Sequence, residues 1–175
     1  MGEGLDLASR IEPRTQKPPY GEWVIPPDAN PARRILYIHG GAWLAGSPKS
    51  HRAITDRLAQ TAGACVFAVD YRLLPEHRYR HGLRDCYRAY EWLLQNGPDE
   101  SGTAEFMVVA GDSAGASHAL VLQAQVRDQG LRQPDAVVAL GPATDLSFGS
   151  PSLSINIPTD PLLGPSFGQL KAIPK

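Results

Sequence analysis

The residues best suited to chemistry in this 175-residue chain are Gly111-Asp112-Ser113-Ala114-Gly115. They lie between the apolar run Phe106-Met107-Val108-Val109-Ala110 and a stretch rich in Ala, Leu and Gln. A serine at a sharp strand-to-helix turn projects its hydroxyl above a sheet, where it can attack an acyl carbon. Gly111 and Gly115 have a steric reason at such a turn, because a side chain at either would collide with the neighbouring strand or helix. Ala114 and Ala116 extend that close approach. The helix starting here points its positive dipole end at the place where negative charge develops. A dinucleotide-binding turn would need glycine where Ser113 stands, and no Walker A pattern is present. Taken alone, the spacing also suits a glycine-rich turn that merely packs closely, so other segments must decide.

The second group is His39-Gly40-Gly41-Ala42-Trp43, directly after Ile35-Leu36-Tyr37-Ile38. Acyl transfer needs backbone N–H groups aimed at a tetrahedral oxyanion, and glycine lets the backbone approach it. Gly40 and Gly41 are expected to supply two donors, with the N–H of Ala114 as a third. Losing one such donor typically costs roughly a hundred- to a thousandfold in turnover. His39 then shapes the loop and is not the base, while Gly111, Asp112 and Gly115 shape the turn around Ser113.

A serine nucleophile also needs a histidine oriented by a carboxylate, and at a strand-to-helix turn of this kind the chain order is Ser, acid, His. After Ser113 the only histidine is His118. Five residues along a helix it lies about 140° around from Ser113, which predicts a packed or surface histidine out of reach of the hydroxyl. Asp145 and Asp160 are possible acids, but neither has a histidine to orient.

The elements that must position these groups follow from the apolar pattern. Six prolines in the first 34 residues leave room for one short strand near Trp23-Val24-Ile25. Strands are predicted at Ile35–Ile38, Cys65–Val69, Phe106–Ala110 and Asp135–Leu140. Between them, Ser50–Ala62 carries Ile54 and Leu58 on one helical face, and Leu83, Cys86, Tyr87, Tyr90 and Leu94 share another that stops at Asn96-Gly97-Pro98. A third helix runs from Ser113 to Arg127. Solid apolar strands alternating with helices predict an α/β fold, a mostly parallel sheet covered on both faces. Five further prolines follow Pro142, and no full amphipathic helix is predicted there. The expected organisation is a Pro-rich lead-in over 1–33, a core over 34–142 and a Pro-rich partial segment over 143–175.

With these elements in place, the chain resembles the hormone-sensitive-lipase-like family of α/β-hydrolase-fold carboxylesterases. His39–Trp43, Asp70-Tyr71-Arg72-Leu73-Leu74-Pro75-Glu76-His77 and Gly111–Gly115 carry the likeness, with Thr144–Ser147 and Asp160–Leu163 as fainter echoes. The resemblance implies hydrolysis of short- to medium-chain acyl esters through an acyl-enzyme. It makes Tyr71–His77 chiefly structural, and gives His39, His51, His77 and His81 loop or helix roles. The family's acid and histidine come from two later strands, and its acyl site is covered by a helical cap. Neither the cap nor those strands are expected within these 175 residues. The chain alone is therefore expected to be a very poor esterase, with its last strand open to self-association or a complementary chain. Two alternatives stand beside this reading: a non-catalytic small-molecule binding module on the same scaffold, for which the family's gibberellin receptors are a precedent, and an amide or formamide hydrolase.

Composition narrows the partners. Apolar residues make up 42%, and 17 basic residues nearly balance 18 acidic ones, so neither nucleic acid nor an anionic membrane is expected. No metal or cofactor is expected. No apolar run reaches the length of a membrane span, and the N-terminus lacks a signal-peptide pattern. Cys65 and Cys86 have neither CxxC nor metal-ligand spacing and are expected to be reduced core residues of a cytoplasmic protein.

Overall fold

The computed structural model describes residues 6–99, 102–147, 149–161 and 163–166. Contacts divide the chain into Met1–Pro142 and Ala143–Lys175. The first unit holds a six-stranded sheet in the order β1-β2-β4-β3-β5-β6. Its strands are β1 (Arg10–Arg14), β2 (Gly21–Ile25), β3 (Asn30–Ile38), β4 (Ala64–Val69), β5 (Phe106–Asp112) and β6 (Ala136–Leu140). β4, β3, β5 and β6 run parallel, whereas β1 and β2 are antiparallel additions beside β4.

The lead-in supplies two strands, one more than the pattern predicts. Proline has no N–H for a ladder, yet β1 is an outer strand in which Pro13 faces Glu22, and an edge tolerates proline. Both strands belong to the same sheet as the core.

The apolar runs split by alternation onto two faces. Leu36 and Ile38 of β3, Phe67 and Val69 of β4 and Met107 and Val109 of β5 pack with Cys86, Tyr90 and Leu93 and with Leu122 and Val126. These belong to helices α2 (Tyr79–Leu93) and α3 (Ala114–Asp128). On the other face Ile35, Tyr37, Val66 and Val108 pack with Ala59, Ile54 and Leu58 of α1 (Arg52–Ala62). Burial of each large side chain is worth roughly 1.5–3 kcal/mol. Cys65 and Cys86 are free and buried within the first of these layers.

Among its described residues the second unit holds the six-residue helix α4 (Pro151–Asn156), with no buried residue, and two single 3-10 turns. Among the described residues no helix is long and apolar enough to cross a membrane.

A fully buried charged side chain also ties the sheet to a helix. Arg34 on β3 is 1% exposed and donates to the carbonyls of Pro31 (2.7 Å), Leu93 (2.7 Å) and Gly102 (2.8 Å). Leu93 ends α2, so the guanidinium satisfies a carbonyl that the helix cannot pair internally and lies at the negative end of its dipole. Replacing Arg34 by Met keeps the length of the stem but orphans these carbonyls. We expect a loss of about 2–4 kcal/mol in urea unfolding, and an unchanged midpoint would refute the role.

Candidate active site

β5 ends at Asp112 and α3 begins at Ala114, so Ser113 alone makes the turn. Its backbone sits at φ 50°, ψ −118°, a region that costs an L-residue about 1–3 kcal/mol. The conformation is held from both sides. Ser113 N–H donates to the Leu140 carbonyl of β6 at 2.8 Å, and the Ser113 carbonyl accepts the N–H and hydroxyl of Ser117. The Ser113 side is exposed, while Gly111 and Gly115 beside it are buried.

The glycines permit a close approach. A Cβ on Gly115 would overlap the Ile38 carbonyl oxygen and come within 2.6 Å of that of His39. A Cβ on Gly111 would lie 2.6 Å from the Gly115 carbonyl carbon and 2.7 Å from the Ile38 oxygen. The start of α3 therefore touches the end of β3, where the His39–Trp43 loop begins.

That loop turns back on itself: Leu44 and Ala45 N–H both donate to the Gly41 carbonyl at 3.0 Å. Gly41 at φ +119°, Ala42 at +55° and Trp43 at +62° take the turn. Three contacts brace it from outside. Tyr71 donates its hydroxyl to the His39 carbonyl at 2.7 Å and stacks on the His39 ring. Leu74 N–H donates to the Trp43 carbonyl at 2.8 Å. Asp112 Oδ1 accepts the Gly40 N–H at 2.9 Å and the Tyr37 hydroxyl at 2.7 Å.

The last contact changes the donor assignment. Gly40 N–H, expected to face an oxyanion, is already bound to Asp112. Gly41 and Ala42 N–H take no part in the loop's hydrogen bonds among the described residues. Ala114 is the first residue of α3, so its N–H has no partner within the helix. Sequence alone does not pick out the Ala42 N–H, because the engagement of Gly40 depends on which way the Asp112 carboxylate turns. Nor does it pick out Tyr37, the other donor to that carboxylate, and it gives His51 only a loop or helix role.

The nearby histidines are packed or engaged, although His39 Nε2 and His118 Nδ1 are buried without a hydrogen-bond partner among the described residues. His39 donates Nδ1–H to the Gly40 carbonyl at 2.8 Å, and its burial pushes its pKa down to about 4. His118 is 1% exposed among Trp43, Tyr71 and Tyr79, and burial pushes it down to about 4. His51 has Nδ1 near the Ser47 carbonyl and Ser50 hydroxyl, and its Nε2 lies 3.7 Å from Asp112 Oδ2. His77 and His81 face each other across the start of α2. In the second unit, Asp145 accepts the Ser147 N–H and Asp160 the Leu163 N–H, each at 2.8 Å. Among the described residues no cluster of His, Cys, Asp and Glu could hold a metal ion.

A strained, exposed serine at a strand-to-helix turn, beside a glycine loop from the adjacent parallel strand, defines a class of hydrolytic fold. A family model described as alpha/beta hydrolase fold matches residues 35–167, and the chain belongs to that family, on its hormone-sensitive-lipase-like branch. It is 38% identical to Esterase LipU of Mycobacterium tuberculosis over 78% of this chain and 44% of that protein. With the hormone-sensitive lipase of Mus musculus the identity is 35%, over 74% of this chain and 17% of the other. The crystal structure of HSL-homolog EstE7 from a metagenome library superposes with a TM-score of 0.85 and 30% identity, covering 95% of this chain and 56% of that one. The chain thus spans less than half the length of these two curated relatives and just over half of the solved one.

The steric reading of the turn is testable by Gly115→Ala. The added methyl forces α3 away from β3, and we expect a loss of about 1–3 kcal/mol by chemical denaturation. A variant as stable as the parent would show that the approach is not tight.

Proposed function

We propose that the chain carries the nucleophile and oxyanion half of a serine carboxylic ester hydrolase acting on short- to medium-chain acyl esters. The observation that carries this reading is the strained backbone of exposed Ser113 next to N–H groups with no partner in their own loop. Ser113 Oγ attacks the acyl carbon, and the N–H groups of Gly41, Ala42 and Ala114 receive the resulting oxyanion. Gly40 and Asp112 hold the loop, His39 shapes it from within, and Gly111 and Gly115 allow the turn. The relatives named as esterase and lipase support the reaction class.

The missing part is the base. Burial holds the pKa of His39 and His118 at about 4, which makes them weak bases, and the ring nitrogens of His51 face Ser47, Ser50 and Asp112, so none is poised to take the Ser113 proton. Removing the histidine of a serine hydrolase costs roughly a millionfold in turnover, while oxyanion stabilisation and binding retain roughly a thousand- to ten-thousandfold over water. Efficient turnover therefore calls for an imidazole and its acid from outside these 175 residues. The outer edge of β6, which pairs only with β5 among the described residues and has Val138 and Leu140 more than a third exposed, is where a second copy or a complementary chain would add a parallel strand. Two buried cysteines without a disulfide support a cytoplasmic reading.

Two measurements test this proposal. The 175-residue chain, treated with a fluorophosphonate probe, should label slowly, with the adduct mapping by mass spectrometry to Ser113 and vanishing in Ser113→Ala. Fast labelling would reveal a base within the chain. No labelling, with a ligand-induced rise in melting temperature, would favour a binding module. In light scattering the mass should rise with concentration, and a strict monomer would remove the β6 proposal.

A further inference from the structure

Asp112 joins three separate parts of the chain. Oδ1 holds the Gly40 N–H and the Tyr37 hydroxyl, while Oδ2 faces His51 Nε2 at 3.7 Å. His51 is itself anchored. Nδ1 lies 3.1 Å from the Ser47 carbonyl and 2.9 Å from the Ser50 hydroxyl. The next residue, Arg52, grips Glu22 of β2 through two hydrogen bonds of 2.9 and 2.7 Å.

This anchoring makes the contact depend on the charge of the ring. A carbonyl can only accept, so the Ser47 oxygen keeps a proton on Nδ1 in the neutral tautomer. The proton lost on neutralisation is then the one on Nε2. Protonated, the ring presents N–H and positive charge to the Asp112 carboxylate. Neutral, it presents a lone pair to the same oxygen, and attraction becomes repulsion. Asp112 can relieve that repulsion only by turning, and the oxygen that would turn with it holds Gly40.

We propose that His51 is a positioning residue of this site: its protonated ring fixes the Asp112 carboxylate, which fixes Gly40 and so aligns the Gly41 and Ala42 N–H groups with Ser113. The proposal rests on the ester-hydrolase reading and gives that site a dependence on pH.

The other groups facing His51 do not titrate in the same range. His39, from the end of β3, has its ring 5.4 Å away and is held neutral by burial, down to about 4. Tyr37, from β3, is 6.2 Å away and is pushed well above its ordinary value by burial and by Asp112. Ser47 and Ser50 are uncharged, and Arg52 keeps its charge beside Glu22. Asp112 is drawn below the usual carboxylate range: burial opposes this, but His51 and Tyr37 outweigh it. His51 is raised above 6.5, chiefly by Asp112. The contribution of His51 is therefore complete below its unfolded pKa and is lost as pH rises through the raised folded value.

The test is a titration of the isotope-labelled 175-residue chain between about pH 5 and pH 9, the range in which histidine changes charge. NMR would follow the His51 ring together with the Gly40 and Gly41 amides. We expect one midpoint above 6.5 for all three, a lower His51 midpoint in Asp112→Asn, and no inflection at Gly40 in His51→Gln. Ser113 labelling by the fluorophosphonate, taken as the ratio of wild type to His51→Gln, should fall about two- to fivefold across that midpoint, the scale of a half-exposed ion pair. Amides that ignore the His51 midpoint, or that keep their inflection in His51→Gln, would overturn the proposal. Amides that follow His51 in a chain whose Ser113 is never labelled would overturn the hydrolase reading and leave the loop-setting role intact.

Discussion

The upper end of this molecule depends on one steric constraint, the contact between the start of α3 and the end of β3. Ile38 pairs with Gly111 across the two parallel strands, so the chain leaving β3 and the chain leaving β5 emerge side by side. A methyl group at 111 or 115 would separate them. With glycine at both, the start of α3 lies against the carbonyls of Ile38 and His39, where the neighbouring loop begins. The residue before the serine is then close enough for its carboxylate to bond the first glycine of the neighbouring loop. Ser113 and the glycine loop are thus placed by strand adjacency, without any long connection having to find its way.

A left-handed serine turn stores strain, and so do two consecutive non-glycine residues, Ala42 and Trp43, at positive φ. At about 1–3 kcal/mol each, such residues consume a large share of a domain's net stability. The surroundings offset this with fixed partners. Leu140 and Ser117 hold Ser113, while Tyr71 and Leu74 brace the loop from the chain after β4. Arg34 locks the opposite end of the layer, where α2 stops. The rigid lower half lets the upper half keep an unfavourable backbone.

Much of this was legible in the sequence, for identifiable reasons. Solid apolar runs located the four parallel strands; in β4 and most of β3 and β5 this reflects burial on both faces, whereas β6 is apolar in sequence but has no buried residue. The glycine spacing located the turn because overlap with neighbouring backbone admits no other residue. β1 was not legible: its ladder forms against β2, and Pro13 reads as a breaker until an edge position excuses it. The commitment of Gly40 to Asp112 was not legible either, because it is set by a side-chain orientation between segments 72 residues apart. His51 carries no local signal, and its partner across the sheet is supplied by the fold alone.

The same accounting explains how half a site can be fully ordered. Every bond described for the loop and the turn runs between Tyr37 and Leu140, and none involves an imidazole that could deprotonate Ser113. Preorganised donors lower a barrier because they need no rearrangement when charge develops, and that property is complete once β3, β4, β5 and β6 have paired. Proton transfer is a separate requirement, met by whichever histidine reaches the exposed hydroxyl. On the proposed reading, the roughly thousand- to ten-thousandfold that oxyanion stabilisation and binding retain together would rest on this sheet, whereas the remaining factor would belong to a group the sheet need not contain.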